Sequence, residues 1–244
     1  MSLLDQVMNG RESKPPRFLV YGQEGTGKST LAASAPKPIF IQTEDGLSEI
    51  DCAKFPLSSS VKDVLQALDE LLTVDHPYQT VVIDTLDWLE RLIHTQVCAD
   101  FGPVKYDSIE KVDGGYQRGY VHALTHWRKV LEALEKLRHQ KGMACLLIAH
   151  AKLEKYELPG ESAVDRYSPR LHKHAAALIC EWVDAVLFAT WKMSPTKTRS
   201  DQNERILRTV SGPHCVAKNR YGLSPEMPLA WQGLMAGLSG TTTK

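Results

Sequence analysis

The chain has 244 residues, enough for one large domain with a full core or for two small ones. Its 29 Lys and Arg balance 29 Asp and Glu, so no global charge draws it to nucleic acid, and any polyanion site has to be local. At 43% hydrophobic and 24% charged the composition is that of an ordinary globular protein, and no apolar stretch approaches the length of a membrane span. The five cysteines are scattered without a C-x-x-C pair, and residues 1–15 hold no apolar signal core. These features predict reduced thiols, a cytoplasmic location and no membrane partner.

In chain order, residues 1–15 are polar, run into Pro15-Pro16 and read as a flexible arm. Phe18 to Tyr21 is a short apolar strand. It leads into Gly22-Gln23-Glu24-Gly25-Thr26-Gly27-Lys28-Ser29-Thr30, a G-x-x-x-x-G-K-S phosphate-binding loop. Glycines let the backbone turn its N–H groups onto phosphate oxygens, and the helix expected over 28–35 adds its positive end. Lys28 is placed to reach the β- and γ-phosphates of ATP, and Ser29 to hold Mg²⁺. Ile39 to Gln42 is a second strand, followed by Glu44 and Asp45; Val61 to Leu72 is an amphipathic helix. Thr80 to Asp84 is a third strand. An aspartate ending a buried strand downstream of a phosphate loop is the Walker B arrangement, which makes Asp84 a Mg²⁺ partner.

Thr85 follows Asp84, so a catalytic base has to come from elsewhere. Glu44, at the carboxyl edge where parallel strands converge on a ligand, is the candidate, with Asp45 as its competitor. A helix is expected over 85–99, a long polar loop over 102–118, the longest helix over 119–140 and a fourth strand over 143–149, ending at His150 as a nucleotide-sensing residue. A second loop is expected over 151–169, a helix over 171–182, a strand over 184–191, and two late strands over 205–211 and 214–218. His122 and His126 share a helical face, but no third ligand completes a zinc site. Residues 190–220 form a locally basic stretch. The alternation predicts an α/β protein with a mostly parallel sheet, helices on both faces and late antiparallel strands. One core spans 16–232, with a flexible tail over 233–244.

Four features in order (phosphate loop, strand–Thr43-Glu44, strand–Asp84-Thr85, strand–His150) resemble the RecA-type recombinase and helicase core. FIQTEDG resembles the strand that supplies the catalytic glutamate in RecA-like strand-exchange proteins, and VVIDT their Walker B strand. AKNRYGL resembles the Lys-x-Arg strand of DnaB-type replicative helicases. The whole pattern, over roughly 16–230, is similar to small phage-encoded RecA-like ATPases of single-strand annealing and recombination. His150 stands where the bacterial recombinase has glutamine, and the N- and C-terminal domains of larger relatives have no counterpart in the sequence. The resemblance implies ATP hydrolysis with Mg²⁺, a homo-oligomeric ring or filament, and Lys218 and Arg220 presented to a neighbour's ATP. It also implies single-stranded DNA as partner, held by the two long loops, and a single-strand DNA-binding protein as a further candidate partner. The first loop offers Lys105, Tyr116 and Arg118. The second offers Lys152, Lys155, Tyr156, Arg166 and Tyr167, followed by Arg170, as cations for phosphates and rings for bases. The competing readings are a helicase-loader or nucleotide-switch ATPase and a P-loop small-molecule kinase.

Overall fold

The computed structural model describes residues 2–10, 12, 14–101, 106–157, 162–192 and 204–238. The sheet grows from β1 (Arg17–Gly22), which is flanked on one side by β5 (Ala144–Tyr156) and on the other by β7 (Ala185–Trp191), both parallel to it. Beyond β5 lie β4 (Thr80–Asp84), β2 (Pro38–Gln42) and the short β3 (Ala53–Lys54), all parallel. Beyond β7 the direction reverses: β8 (Arg205–Arg208) pairs antiparallel with it, and β10 (Glu226–Pro228) pairs antiparallel with β8. β9 (Lys218–Asn219) adds to the start of β7, and β6 (Val164–Pro169) folds back on the far half of β5. The expected architecture, a mostly parallel sheet with late antiparallel strands, is the one observed.

The two-residue period of the strands divides the core into two. Leu19, Tyr21, Ile41, Ile83, Leu147 and Val186 face α2 (Val61–Thr73), α3 (Leu86–Asp100), α4 (Arg118–Gln140) and α5 (Lys173–Trp182). Phe18, Val20, Phe40, Val82, Ile148 and Leu187 face α1 (Lys28–Ala33) and α6 (Trp231–Leu238). Local signals agree with this packing. A capping box joins Ser60 and Asp63 at the start of α2, and Val61, Val64, Leu68 and Leu71 form its buried stripe. Among the described residues no helix is long and apolar enough to cross a membrane.

Three expectations are corrected. The described residues of 151–169 are mostly strand, because β5 continues through Tyr156 and β6 returns along it in register, Lys155 opposite Asp165 and Glu154 opposite Arg166. Cross-strand charge pairs of this kind favour a ladder over an open loop. The described part of 102–118 is partly packed, with a 3₁₀ segment Ile109–Gly114 that buries Ile109 and Val112. Residues 233–238, assigned to the tail, complete α6, where Leu234 is fully buried.

Candidate functional site

The carboxyl ends of β1, β2, β4 and β5 open on a cleft of about 460 Å³. Gly22 ends β1 so close to Ala189 of β7 that a β-carbon would collide with the Ala189 carbonyl, so the loop has to start with glycine. Gly27 has φ +91°, and a β-carbon there would lie 2.5 Å from the Arg205 guanidinium. The Lys28 ammonium is buried and donates to the carbonyls of Gly22 (3.0 Å) and Gln23 (2.8 Å). Burial lowers its pKa, against the opposing pull of Asp84. Thr26 donates to Gln23 O (2.9 Å) and closes the turn.

Ser29 Oγ donates to Asp84 Oδ2 at 2.7 Å, so the two expected Mg²⁺ partners are adjacent. Burial raises the Asp84 carboxyl, with the Ser29 hydrogen bond acting against it. A hydroxyl and a carboxylate side by side at the foot of a phosphate loop are the hard-oxygen donors that Mg²⁺ takes, and this donor set fits the cation. Glu44 lines the same cleft and accepts from Thr85 Oγ1 at 3.2 Å, with His150 Nδ1 3.9 Å away. Asp45 is exposed and does not line the cleft. Thr30 lines it as well.

His150 is held by Asp87, a residue that sequence reasoning missed. Asp87 Oδ1 accepts the His150 backbone N–H at 3.0 Å, and its carboxylate lies 3.1 Å from Nδ1. Arg170, just past β6, donates to Asp87 Oδ2 at 2.8 Å and reaches Glu24 of the phosphate loop at 3.3 Å. Gln23 donates to the Tyr167 hydroxyl at 3.3 Å. The base of the hairpin therefore touches the phosphate loop at two points. The Asp87 side chain is only 4% exposed; burial works to raise its pKa, but hydrogen bonds from His150 and Arg170 prevail and hold it well below the carboxylate range. The available signal was its position in the first turn of the helix after Asp84, where a carboxylate meets the positive helix end. Glu90, one turn further on, was missed too. It accepts the His172 N–H, and burial raises it to about 7.

The expected DNA-binding side chains separate into groups. Tyr116 is 94% exposed, and Arg118 is exposed near Asp113. Lys155 pairs with Asp165 (2.7 Å) and Lys152 with Glu154 (2.9 Å). The Arg166 guanidinium covers the Tyr156 ring at 4.3 Å and donates to Ser211. The Tyr167 ring stacks on Phe188, centroids 5.0 Å apart, so that face belongs to the core. Lys105 lies outside the described residues. Just after the two segments, at the starts of α4 and α5, the rings of Tyr120 and His172 stack with centroids 3.8 Å apart.

Lys218 and Arg220 lie at the opposite, amino-terminal end of β7. Lys218 Nζ donates to Cys180 O, Glu181 O and Val183 O at 2.6–2.8 Å and caps α5. This corrects the expectation that Lys218 is presented to a neighbour, since its three N–H groups are engaged within the subunit. Arg220 sits 3.6 Å from Asp184 with its side chain 53% exposed. Among the described residues no group of three or more His, Cys, Asp or Glu is placed to hold a metal ion.

A phosphate loop, a hydrogen-bonded Ser–Asp pair and a further carboxylate at one parallel-sheet edge are the arrangement of a P-loop nucleoside-triphosphatase. The AAA-domain family model matches residues 14–221, and the chain belongs to that family. It is 25% identical over 186 residues to an SPbeta prophage-derived uncharacterized protein, YorG, of Bacillus subtilis; the match covers 75% of this chain, and the chain spans about half (52%) of that relative's length. The structure of the RadB recombinase aligns over 84% of each chain with 15% identity and a TM-score of 0.46.

Proposed function

We propose that the protein is a Mg²⁺-dependent ATPase that works as a homo-oligomer on single-stranded DNA, in annealing or strand exchange of the phage type. The observation that supports it is the double contact between phosphate loop and hairpin, Gln23–Tyr167 and Glu24–Arg170, which makes the nucleotide cleft and the candidate DNA element one network. Ser29 and Asp84 would hold Mg²⁺, which would supply positive charge to the phosphates. Lys28 turns from the loop carbonyls to the β/γ oxygens, replacing two neutral acceptors by an anion. Glu44 takes the proton of the attacking water, oriented by the Thr85 hydroxyl. His150 responds at the same edge, and Asp87 passes its position to Arg170 and the hairpin. Arg220 reaches a neighbour's phosphates as an arginine finger.

ATP turnover with and without single-stranded DNA, on protein of known oligomeric size, tests the reading. Stimulation of turnover by DNA is expected; hydrolysis without it removes the DNA assignment. The pairing of hairpin cations by Glu154 and Asp165 favours a second reading, a nucleotide switch or helicase loader whose hairpin meets a protein. Such a protein hydrolyses ATP slowly and ignores DNA.

A further inference from the structure

Strand pairing between β2 and β4 ends with Gln42 opposite Asp84. A side chain carries the connection one residue further. The Thr43 N–H donates to Asp84 O at 2.8 Å. The Thr43 hydroxyl then accepts the Thr85 N–H at 2.9 Å and donates to the Thr85 carbonyl at 2.6 Å. One hydroxyl thus holds both backbone groups of the residue after Asp84. Thr43 and Thr85 are both buried, 4% and 3% exposed.

We infer that Thr43 is a positioning residue for hydrolysis, acting through Thr85 on the carboxylate of Glu44. This rests on the reading of Glu44 as the group that takes the proton of the attacking water. Three observations support it. Glu44 needs an outside hold. Its side chain is 31% exposed, and among the described residues that side chain meets the Thr85 hydroxyl at 3.2 Å and His150 Nδ1 at 3.9 Å. Thr85, in turn, stands at the N-cap of α3, yet its hydroxyl makes no capping bond to the helix and donates to Glu44 instead. A threonine at that position ordinarily accepts an N–H of the first helical turn, so this hydroxyl is used for something other than helix stability. Finally, Thr43 adjoins Glu44 in the chain, as Thr85 adjoins Asp84. The clasp ties the segment that carries the base to the segment that carries Asp84, and so sets how far Glu44 stands from the phosphate loop.

A hydroxyl that only satisfied two buried backbone groups would lower stability when lost, with no particular connection to Glu44. The two roles separate by experiment. Single-turnover hydrolysis of ATP with Mg²⁺ and equilibrium ATP titration are measured on Thr43→Val, Thr43→Ser, Glu44→Gln and the double variant Thr43→Val/Glu44→Gln. Thr43→Val keeps the shape and removes the hydroxyl; it is expected to hydrolyse about 10²-fold more slowly, the effect of a small misplacement at the reacting centre, with ATP affinity unchanged. Thr43→Ser keeps both bonds and is expected to hydrolyse at close to the wild-type rate. In Glu44→Gln, where the base is already gone, adding Thr43→Val is expected to slow hydrolysis no further, because the two residues act as a unit.

A wild-type rate in Thr43→Val overturns the inference. So does a Thr43→Val loss that is equally large in the Glu44→Gln background, or an ATP affinity that falls in step with the rate, since the hydroxyl then serves the fold and not Glu44. Thr43→Ser as slow as Thr43→Val overturns it too, because both bonds are then present without effect. Glu44→Gln that hydrolyses at the wild-type rate overturns the reading of Glu44 as the base, and this inference with it; that result appears in the single Glu44 variant, which tells the two failures apart.

Discussion

The two ends of the parallel sheet hold similar charges and use them differently. At the amino end, Asp184 accepts from Arg17 (2.7 Å) and Tyr221 (2.9 Å) and lies near Arg138 and Arg220, while Arg17 also reaches Glu135 of α4. These bonds tie β1, β7, α4 and the turn after β9 into one block. At the carboxyl end, Asp87 is held by His150 and Arg170, which in turn touch Glu44 and Glu24 of the cleft. Both aspartates are buried, which works to raise them, and both are held below the usual range by their donors. A depressed carboxyl therefore does not mark function here. The distinction lies in the partners: those of Asp184 are fixed elements, and those of Asp87 border the phosphate-loop cleft and the start of the β5–β6 pair.

The largest expected effect tests whether the amino end is wholly structural. Its one half-exposed cation is Arg220, and as a finger in trans it is worth on the order of 10³–10⁵ in rate. Arg220→Ala and Lys28→Ala are each expected to be inactive, and mixed oligomers of the two to regain part of the turnover at shared interfaces. Mixed oligomers with no recovered activity would place Arg220 with the rest of the structural block. Next is Glu44→Gln at the carboxyl end, expected to retain ATP binding and to hydrolyse about 10²–10⁴ more slowly, measured by single turnover. A normal rate for this variant alongside an inactive Asp45→Asn would shift the role by one residue.

The direct contrast is Asp184→Ala against Asp87→Asn. Removing Asp184 takes from Arg17 its 2.7 Å partner and leaves the buried Arg138, among the described carboxylates, with Glu135 alone, at a cost of about 3–5 kcal/mol in urea unfolding. Asp87→Asn keeps one acceptor and leaves the partly exposed Arg170 to water, so the stability loss is smaller, while DNA stimulation of turnover falls about tenfold. Equal losses of stability with unchanged stimulation would erase the difference between the two ends.

The smallest effect concerns Glu90, between α3 and the start of α5. Its folded pKa, about 7, lies above the ordinary 4.5. The unfolded chain gives up this proton first, so the folded state binds more protons between pH 4.5 and 7 and wild-type stability from this group falls across that window. Glu90→Gln is expected to flatten the decline and to gain up to about 3 kcal/mol at pH 8, while matching wild type near pH 4.5. Urea unfolding at the two pH values measures it; a gain equal at both would exclude titration of Glu90 as the cause.

What the sequence by itself determined is what contiguous backbone and strict periodicity specify. The phosphate loop was legible because its cradle is nine consecutive residues. The positions of Asp84 and Glu44 at the cleft were legible because strand ends in a parallel sheet share one edge. The strands and most helices followed from apolar runs and 3.6-residue stripes. Tertiary structure alone decided the rest. Residues 151–156 and 164–169 became paired strands because their charges pair across them, a relation between residues about ten apart that reads along the chain as a polar loop. Lys218 became a cap on α5 because the carbonyls it meets are supplied by a helix end some 35 residues earlier. Asp87 and Arg170, 83 residues apart, and Arg205 and Gly27, brought together from opposite ends of the chain, met through packing that local pattern does not encode. Hydrogen bonds and ion pairs are short-ranged, so which side chains share a site is settled only when the core has fixed the distances between elements.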